Sequence, residues 1–175
     1  MENPAMFCYQ CQETARGTGC DKIGVCGKQP QTSARMDLLL YVVRGVALIN
    51  RALREKGEPS REASHLVIDA LFTTITNANF DNPSLDDYIS RAFELKNLLA
   101  GTAKKQGVAL PDLPQVEFFA RPDEAEECRP FTGVLAEPDA DIRGLKQLVS
   151  TVARAWPPTR DTPPTWGMKT RMCTP

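Results

Sequence analysis

Four cysteines near the start of the 175-residue chain are the residues best suited to chemistry. They are Cys8, Cys11, Cys20 and Cys26, in the pattern C-x2-C-x8-C-x5-C. Four soft thiolates this close together can converge on one metal centre, because glycines at 17 and 19 allow the chain to turn back toward the first pair. Glycines also let backbone N–H groups approach cluster sulfurs and so tune a redox potential. The pattern therefore predicts a metal centre.

The spacing alone leaves three interpretations of these cysteines open. An iron–sulfur cluster takes four cysteine thiolates. Zinc does so too, but structural zinc sites usually consist of two short cysteine pairs, whereas the second pair here is separated by five residues. Disulfides or unligated thiols are the third interpretation.

Composition and charge exclude several classes of function. The chain is 42% hydrophobic and 25% charged, as in ordinary globular proteins, and its net charge of -1 provides no attraction for nucleic acid or an anionic membrane. No apolar run reaches the roughly 18 residues of a membrane span, and the first residues lack the features of a signal peptide. We therefore expect a cytoplasmic protein that binds neither nucleic acid nor membrane. Its reducing compartment argues against disulfides.

Helical periodicity after the cysteines predicts an all-α fold. Apolar residues recur at helical steps in a first long helix, for which Thr32 or Ser33 is the expected N-cap and Gly57 the stop. A second helix is expected from Ser60. A third is expected from Ser84, as the start of a capping box, and it continues toward position 107. Short connections between the three helices predict an up-down-up bundle.

The second half of the chain has a different composition from the first. Positions 112–141 hold nine acidic residues against two basic ones, which we interpret as a solvated linker. A fourth helix is expected from Asp139 or Asp141 and should end by Trp156, with Ile142, Leu145, Leu148, Val149 and Val152 on one side. We divide the chain into a cysteine loop (1–31), a three-helix bundle (32–107), the acidic linker (108–138), one helix of an incomplete second bundle (139–156) and a Pro-rich disordered tail (157–175).

The remaining candidates for chemistry are few. Cys128 and Cys173 lie far from the other cysteines in sequence and are expected to be ordinary thiols, and the single histidine, His65, is expected to be structural or at the surface. No Ser-His or Cys-His pairing is evident, so we predict no catalytic residue.

Charged and aromatic residues flank the four cysteines. Arg16, Lys22 and Lys28 could stabilise thiolates, although solubility explains them equally well. Phe7 and Tyr9 could shield the centre from water, although packing against the bundle is the simpler account.

Three segments resemble the hybrid-cluster (prismane) proteins, a family of hydroxylamine reductases. MFCYQCQETARGTGCDKIGVCGK (6–28) resembles the start of these proteins. DLLLYVVRGVALINRAL (37–53) is similar to their first bundle helix, and VLAEPDADIRGLKQL (134–148) resembles the opening of their second bundle. The resemblance covers about residues 6–149.

The resemblance implies that Cys8, Cys11, Cys20 and Cys26 bind a [4Fe-4S] cluster near the surface. This cluster would accept electrons from an external redox protein and pass them to the family's hybrid iron–sulfur–oxygen cluster. There, in later α/β domains, hydroxylamine or nitric oxide is reduced. Those domains and the hybrid cluster are not expected in this chain, so we expect an electron-entry module that does not itself reduce hydroxylamine.

The chain departs from the family pattern after about Ser150, where the composition changes abruptly and family members continue for several times this length. We therefore expect a truncated or frameshifted reading frame. Two other classes stay open. One is a zinc-stabilised helical binding module. The other is a non-functional fragment whose fourth helix exposes apolar residues, which would make a dimer possible.

Overall fold

The computed structural model describes residues 4–75 and 77–155, and their regular structure is helical apart from one isolated antiparallel bridge. This confirms the all-α prediction. The α-helices of this part of the chain are α1 (Pro30–Glu55), α2 (Arg61–Thr73), α3 (Asn82–Lys105), α4 (Pro114–Glu117), α5 (Ala125–Thr132) and α6 (Ala140–Ala155). None of these helices is both long enough and apolar enough to cross a membrane.

Helix α1 is the centre of the fold because apolar residues cover most of its circumference. It contacts α2, α3, α4 and α5. Its apolar residues predicted from periodicity are all buried: Met36, Leu39, Leu40, Val43, Val46 and Leu53. A helix that is apolar on several sides needs partners on several sides, and the short helices after α3 provide the additional ones.

The ends of α1 and α2 follow the sequence signals in part. Ser60 caps α2 as predicted, since its hydroxyl accepts a hydrogen bond from the Ala63 N–H (3.1 Å). Gly57 follows α1 with φ +89°, a conformation that glycine adopts at low cost. The N-cap prediction of Thr32 or Ser33 is wrong, because α1 already begins at Pro30. Proline favours the first helical turn, where its missing N–H costs nothing.

The predicted start of the third helix is also wrong by two residues. Helix α3 begins at Asn82, and the carboxylate of Asp81, rather than the hydroxyl of Ser84, provides the cap by accepting from the Ser84 N–H (3.0 Å). Thr32 then has a different role: its hydroxyl donates to Asn82 Oδ1 (2.8 Å), which ties the first turns of α1 and α3 together.

The acidic segment is not simply a solvated stretch, which corrects the interpretation from charge. Ala120 and Ala125 in this segment are buried, and the Phe118 ring packs edge-on against Tyr41 of α1, with 4.9 Å between the ring centroids. The Lys96 ammonium of α3 donates to the Phe118 carbonyl oxygen. Most of the acids are exposed, whereas Ala120 and Ala125 join the core and Phe118 packs against it. The division of the chain into units stays a prediction.

Helix α6 has the apolar face that the sequence predicts, and this face is exposed. Its residues Ile142, Leu145, Leu148, Val149 and Val152 are between 46% and 69% exposed. Leu145 and Val149 line an open groove of about 650 Å³ against Ala47 and Leu48 of α1. The predicted helix end at Trp156, the disordered tail and Cys173 lie outside the described residues.

Candidate metal centre

The cysteine loop precedes α1 and turns back on itself, as the sequence predicts. Cys8 and Cys20 form an antiparallel bridge in which each N–H donates to the other's carbonyl oxygen, at 3.1 Å from Cys8 and 2.8 Å from Cys20. The turn contains a short 3-10 helix, Ala15–Gly17, with positive φ values at Arg16 (57°) and Gly17 (68°). The backbone thus places the first and third cysteines of the pattern side by side.

Aromatic side chains cover this bridge. A Cβ atom at Gly19 would lie 2.6 Å from Phe7 Cε2, so the ring packs directly on the Gly19 backbone and would have to move to admit a larger residue. The Phe7 and Tyr9 rings meet edge-on with centroids 5.4 Å apart. The Tyr9 hydroxyl donates to the Arg143 carbonyl oxygen of α6 (3.5 Å). The Tyr9 bond supports the simpler account, in which the rings connect the loop to the helices, and the shielding of the centre from water stays a prediction.

Cys20 is surrounded by hydrogen-bond donors that favour a thiolate. Its Sγ accepts from the Ala15 N–H (3.5 Å) and lies 3.7 Å from the Thr14 hydroxyl oxygen. Burial opposes ionisation, but hydrogen bonds from the Ala15 and Val25 N–H groups and from Thr14 outweigh it, so the pKa of Cys20 is lowered. Backbone N–H donors to sulfur are the arrangement that tunes iron–sulfur centres.

Cys8 lies next to a buried cation. The Lys28 ammonium is 3.8 Å from Cys8 Sγ, and the Lys28 residue is only 2% exposed. Burial raises the pKa of the Cys8 thiol, and the charge of Lys28 opposes this shift. Of the three cations that flank the cysteines, Lys28 therefore acts on a thiol, whereas Arg16 pairs with Asp21 at the surface (2.9 Å) and Lys22 is exposed.

Cys11 and Cys26 lie at the partly exposed rim of the loop. A Cβ atom at Gly24 would be 3.1 Å from Cys26 Sγ, so the missing side chain leaves room beside that sulfur. Within residues 4–75 and 77–155, no three His, Cys, Asp or Glu side chains are close enough to hold a single metal ion. The structure pairs Cys8 with Cys20 through the backbone, and the convergence of all four thiols stays a prediction.

The donor set fits an iron–sulfur cluster. A [4Fe-4S] cluster would take one thiolate on each of its four irons, so its four ligands need not meet at one ion. Four thiols on one loop, N–H donation to Cys20 Sγ and a buried ammonium at Cys8 Sγ match the needs of a negatively charged group with sulfur ligands.

A buried carboxylate behind the loop was not predicted from the sequence. Asp37 of α1 is 8% exposed, and burial raises its pKa to about 7, opposed by Lys28, Arg154, Arg44 and Arg129 in that order. It lines cavities of about 180 Å³ and 130 Å³, which have room for water. The one signal in the sequence is that Asp37 directly precedes the apolar run of α1. An acid in that position is just as typical of an ordinary solvent-facing residue, so the signal does not indicate burial.

The other candidates behave as ordinary residues. His65 is exposed on α2. Cys128 on α5 is an unbonded thiol packed against the core, and burial, with Glu124 and Glu127, raises its pKa.

Comparison with known proteins identifies the family. The Prismane/CO dehydrogenase family model matches residues 6–154. A hydroxylamine reductase of Bacteroides thetaiotaomicron is 50% identical over 145 residues, which are 83% of this chain and 26% of that protein. Hydroxylamine reductases of Porphyromonas gingivalis (42% identical, 82% of this chain and 26% of that protein) and Desulfitobacterium hafniense (39%, 83% and 27%) are also similar. The chain spans about a quarter of the length of these relatives. With most of its length matched and its relatives this similar, the chain belongs to the Prismane/CO dehydrogenase family.

Proposed function

We propose that this chain is the N-terminal [4Fe-4S] electron-transfer part of a hydroxylamine reductase, with Cys8, Cys11, Cys20 and Cys26 as the cluster ligands. The observation that carries the proposal is the Cys8–Cys20 bridge together with the Ala15 N–H directed at Cys20 Sγ. Proteins of this family bind iron–sulfur clusters, which supports the assignment of the metal.

When bound, a [4Fe-4S] cluster supplies one-electron oxidation and reduction. The residues of the chain contribute the environment for that chemistry. The Ala15 N–H stabilises a thiolate at Cys20 Sγ, as does the Thr14 hydroxyl in competition with its hydrogen bond to the Cys8 carbonyl oxygen (3.0 Å). The Lys28 ammonium stabilises a thiolate at Cys8 Sγ. The Phe7 ring packs on Gly19, next to Cys20, and would limit the access of water to a cluster on that side of the loop. The partly exposed Cys11 and Cys26 leave the outer side of the loop accessible to an external electron donor.

The reaction of the whole protein is part of the same proposal. Hydroxylamine reduction to ammonia, with nitric oxide reduction as a second candidate, requires the remainder of the family fold, since this chain spans about a quarter of its relatives. We propose that this chain passes electrons onward, in the cytoplasm, without binding the hybrid cluster or the substrate. In an anaerobic assay with reduced viologen and hydroxylamine, the chain alone should form no ammonia beyond the background of free cluster. Ammonia formation above that background would contradict the proposal that this chain transfers electrons without reducing the substrate.

Iron and acid-labile sulfide per chain, measured after anaerobic purification, test the metal assignment. About four of each, with an EPR signal that appears on reduction by dithionite, is the expected result. Cys20→Ala should lose this signal, whereas Cys128→Ala, a matched loss of a partly buried thiol elsewhere, should keep it. Zinc in place of iron would overturn the proposal in favour of a zinc-stabilised binding module. Absence of any metal would leave a non-functional fragment.

A further inference from the structure

A group of charged side chains lies behind Cys8, and two of its members are almost completely buried cations. Lys28, from the end of the cysteine loop, is 2% exposed, and Arg154, from the last turn of α6, is 3% exposed. Both act electrostatically on Asp37 of α1, as do Arg44 and Arg129. Arg154 Nε is buried without a hydrogen-bond partner in the described part of the chain. One carboxylate thus faces four cations.

The charges of this group act on the Cys8 sulfur with opposite signs. Lys28 Nζ lies 3.8 Å from Cys8 Sγ and favours negative charge there. Arg154 is coupled to the same sulfur. Asp37 lines a cavity together with Met6 and Phe7, the two residues that precede Cys8, and its carboxylate opposes negative charge on Cys8. Because these groups are buried, salt and water screen them weakly, so their effect on a charge at Cys8 is large compared with that of surface residues.

Reduction of an iron–sulfur cluster adds one negative charge to the cluster and its thiolates. Nearby positive charge stabilises the reduced state relative to the oxidised state and raises the reduction potential, and negative charge lowers it. Net charge around a cluster is one of the main determinants of its potential.

We propose that Lys28 and Asp37 are opposing potential-setting residues for the cluster held by the four cysteines, with Lys28 raising its reduction potential and Asp37 lowering it. The inference rests on the proposed function, because it requires the cluster. Both residues act on the cluster through their charge, and neither ligates iron. Lys28 lies 3.8 Å from the ligand sulfur and has the larger of the two charge effects on Cys8.

Potentiometric titration followed by EPR tests the proposal in three variants. Lys28→Met should shift the midpoint to a more negative value, by at least a tenfold change in the reduced-to-oxidised ratio, which is about 59 mV for one electron. Asp37→Asn, titrated in alkaline buffer where the carboxylate is ionised, should shift it in the opposite direction. Lys22→Met removes an exposed charge from the same loop and should leave the midpoint unchanged.

The outcomes separate this inference from the proposed function. A wild-type chain without a reducible cluster contradicts the proposed function. A loaded wild type whose midpoint is the same in Lys28→Met contradicts the charge role, as does a midpoint for Asp37→Asn that is unchanged or more negative. If Lys28→Met does not load, Lys28→Gln retains a donor near Cys8 while removing the charge, and it should give the same negative shift. A purely structural role would not produce shifts of opposite sign.

Discussion

Replacement of Gly45 by alanine tests how closely the segment after α3 lies on α1. Gly45 is buried in α1, and a Cβ atom there would lie 2.2 Å from the Gln115 carbonyl oxygen and 3.1 Å from Lys96 Cδ. The Gln115 oxygen belongs to the backbone of α4, so it cannot move away as the end of a flexible side chain could. Either α4 must shift or the helix must bend.

The magnitude follows from two opposing contributions. Alanine is favoured over glycine in a helix by about 1 kcal/mol. Overpacking in a filled core costs about 1–3 kcal/mol, and a contact this far below van der Waals distance with backbone belongs at the upper end. A shift of α4 would also weaken the Phe118 contact with Tyr41. We therefore expect Gly45→Ala to destabilise the fold by about 2 kcal/mol.

Urea unfolding of the metal-free, reduced chain, followed by far-UV circular dichroism, measures this free energy. Gly101→Ala is the matched control, because Gly101 lies in α3 and a Cβ atom there meets nothing within 4 Å. It should stabilise the chain by about 0.5–1 kcal/mol from helix propensity alone. If Gly45→Ala stabilised the chain as much as Gly101→Ala does, the close packing of α4 on α1 would be refuted.

Three further predictions concern the loop, the buried carboxylate and α6. Thr14→Val should raise the pKa of the Cys20 thiol, whereas Thr14→Ser should retain the wild-type value. The pH dependence of Cys20 alkylation in the metal-free chain measures this pKa. Equal pKa values in the wild type and both variants would contradict the role of the hydroxyl. Because burial raises the pKa of Asp37 from 3.8 to about 7, its contribution to stability is full below 3.8 and is lost as the pH rises through about 7. Urea unfolding measured across this pH range should show that the free energy of unfolding of the metal-free wild type falls by about 4 kcal/mol relative to that of Asp37→Asn. Parallel pH profiles of the two proteins would contradict the raised pKa of Asp37. We predict that the exposed apolar face of α6 pairs two copies of the chain. Leu145→Lys should then weaken self-association in sedimentation equilibrium, whereas Leu98→Lys, equally exposed at 64% but outside this face, should not. A monomeric wild type, or equal effects of the two changes, would contradict the prediction.

Helix positions were predictable from the sequence because the apolar spacing of α1, α2 and α3 is a local property that packing then satisfies. The helix starts were less predictable. Two prolines, at 30 and 83, compete with the hydroxyl caps at Thr32 and Ser84, and the position of proline in the first turn decides where each helix begins. The short helices α4 and α5 escaped prediction because their acids dominate the charge count, whereas the residues that bury are small and few.

The cysteines were predictable because ligand type and spacing are explicit in the sequence, but the charges around them were not. Lys22 and Lys28 look alike in sequence, each a lysine near a cysteine. Only the fold distinguishes them, because it buries Lys28 against Cys8 and leaves Lys22 in water. Asp37 and Arg154 are 117 positions apart, and no local pattern indicates that α1 and α6 bring them together.

Burial and backbone hydrogen bonds hold one side of the ligand loop. Met6 is completely buried, its N–H donates to the Asp21 carbonyl oxygen (3.2 Å), and Cys20 is 5% exposed, so the Cys8–Cys20 bridge is anchored in protein packing. Cys11 and Cys26 lie outside this anchor, at the rim. A loop prepared in this way also holds the charges of Lys28 and Asp37 at fixed positions relative to Cys8, and a fixed electrostatic environment is what allows a protein to set the potential of a redox centre.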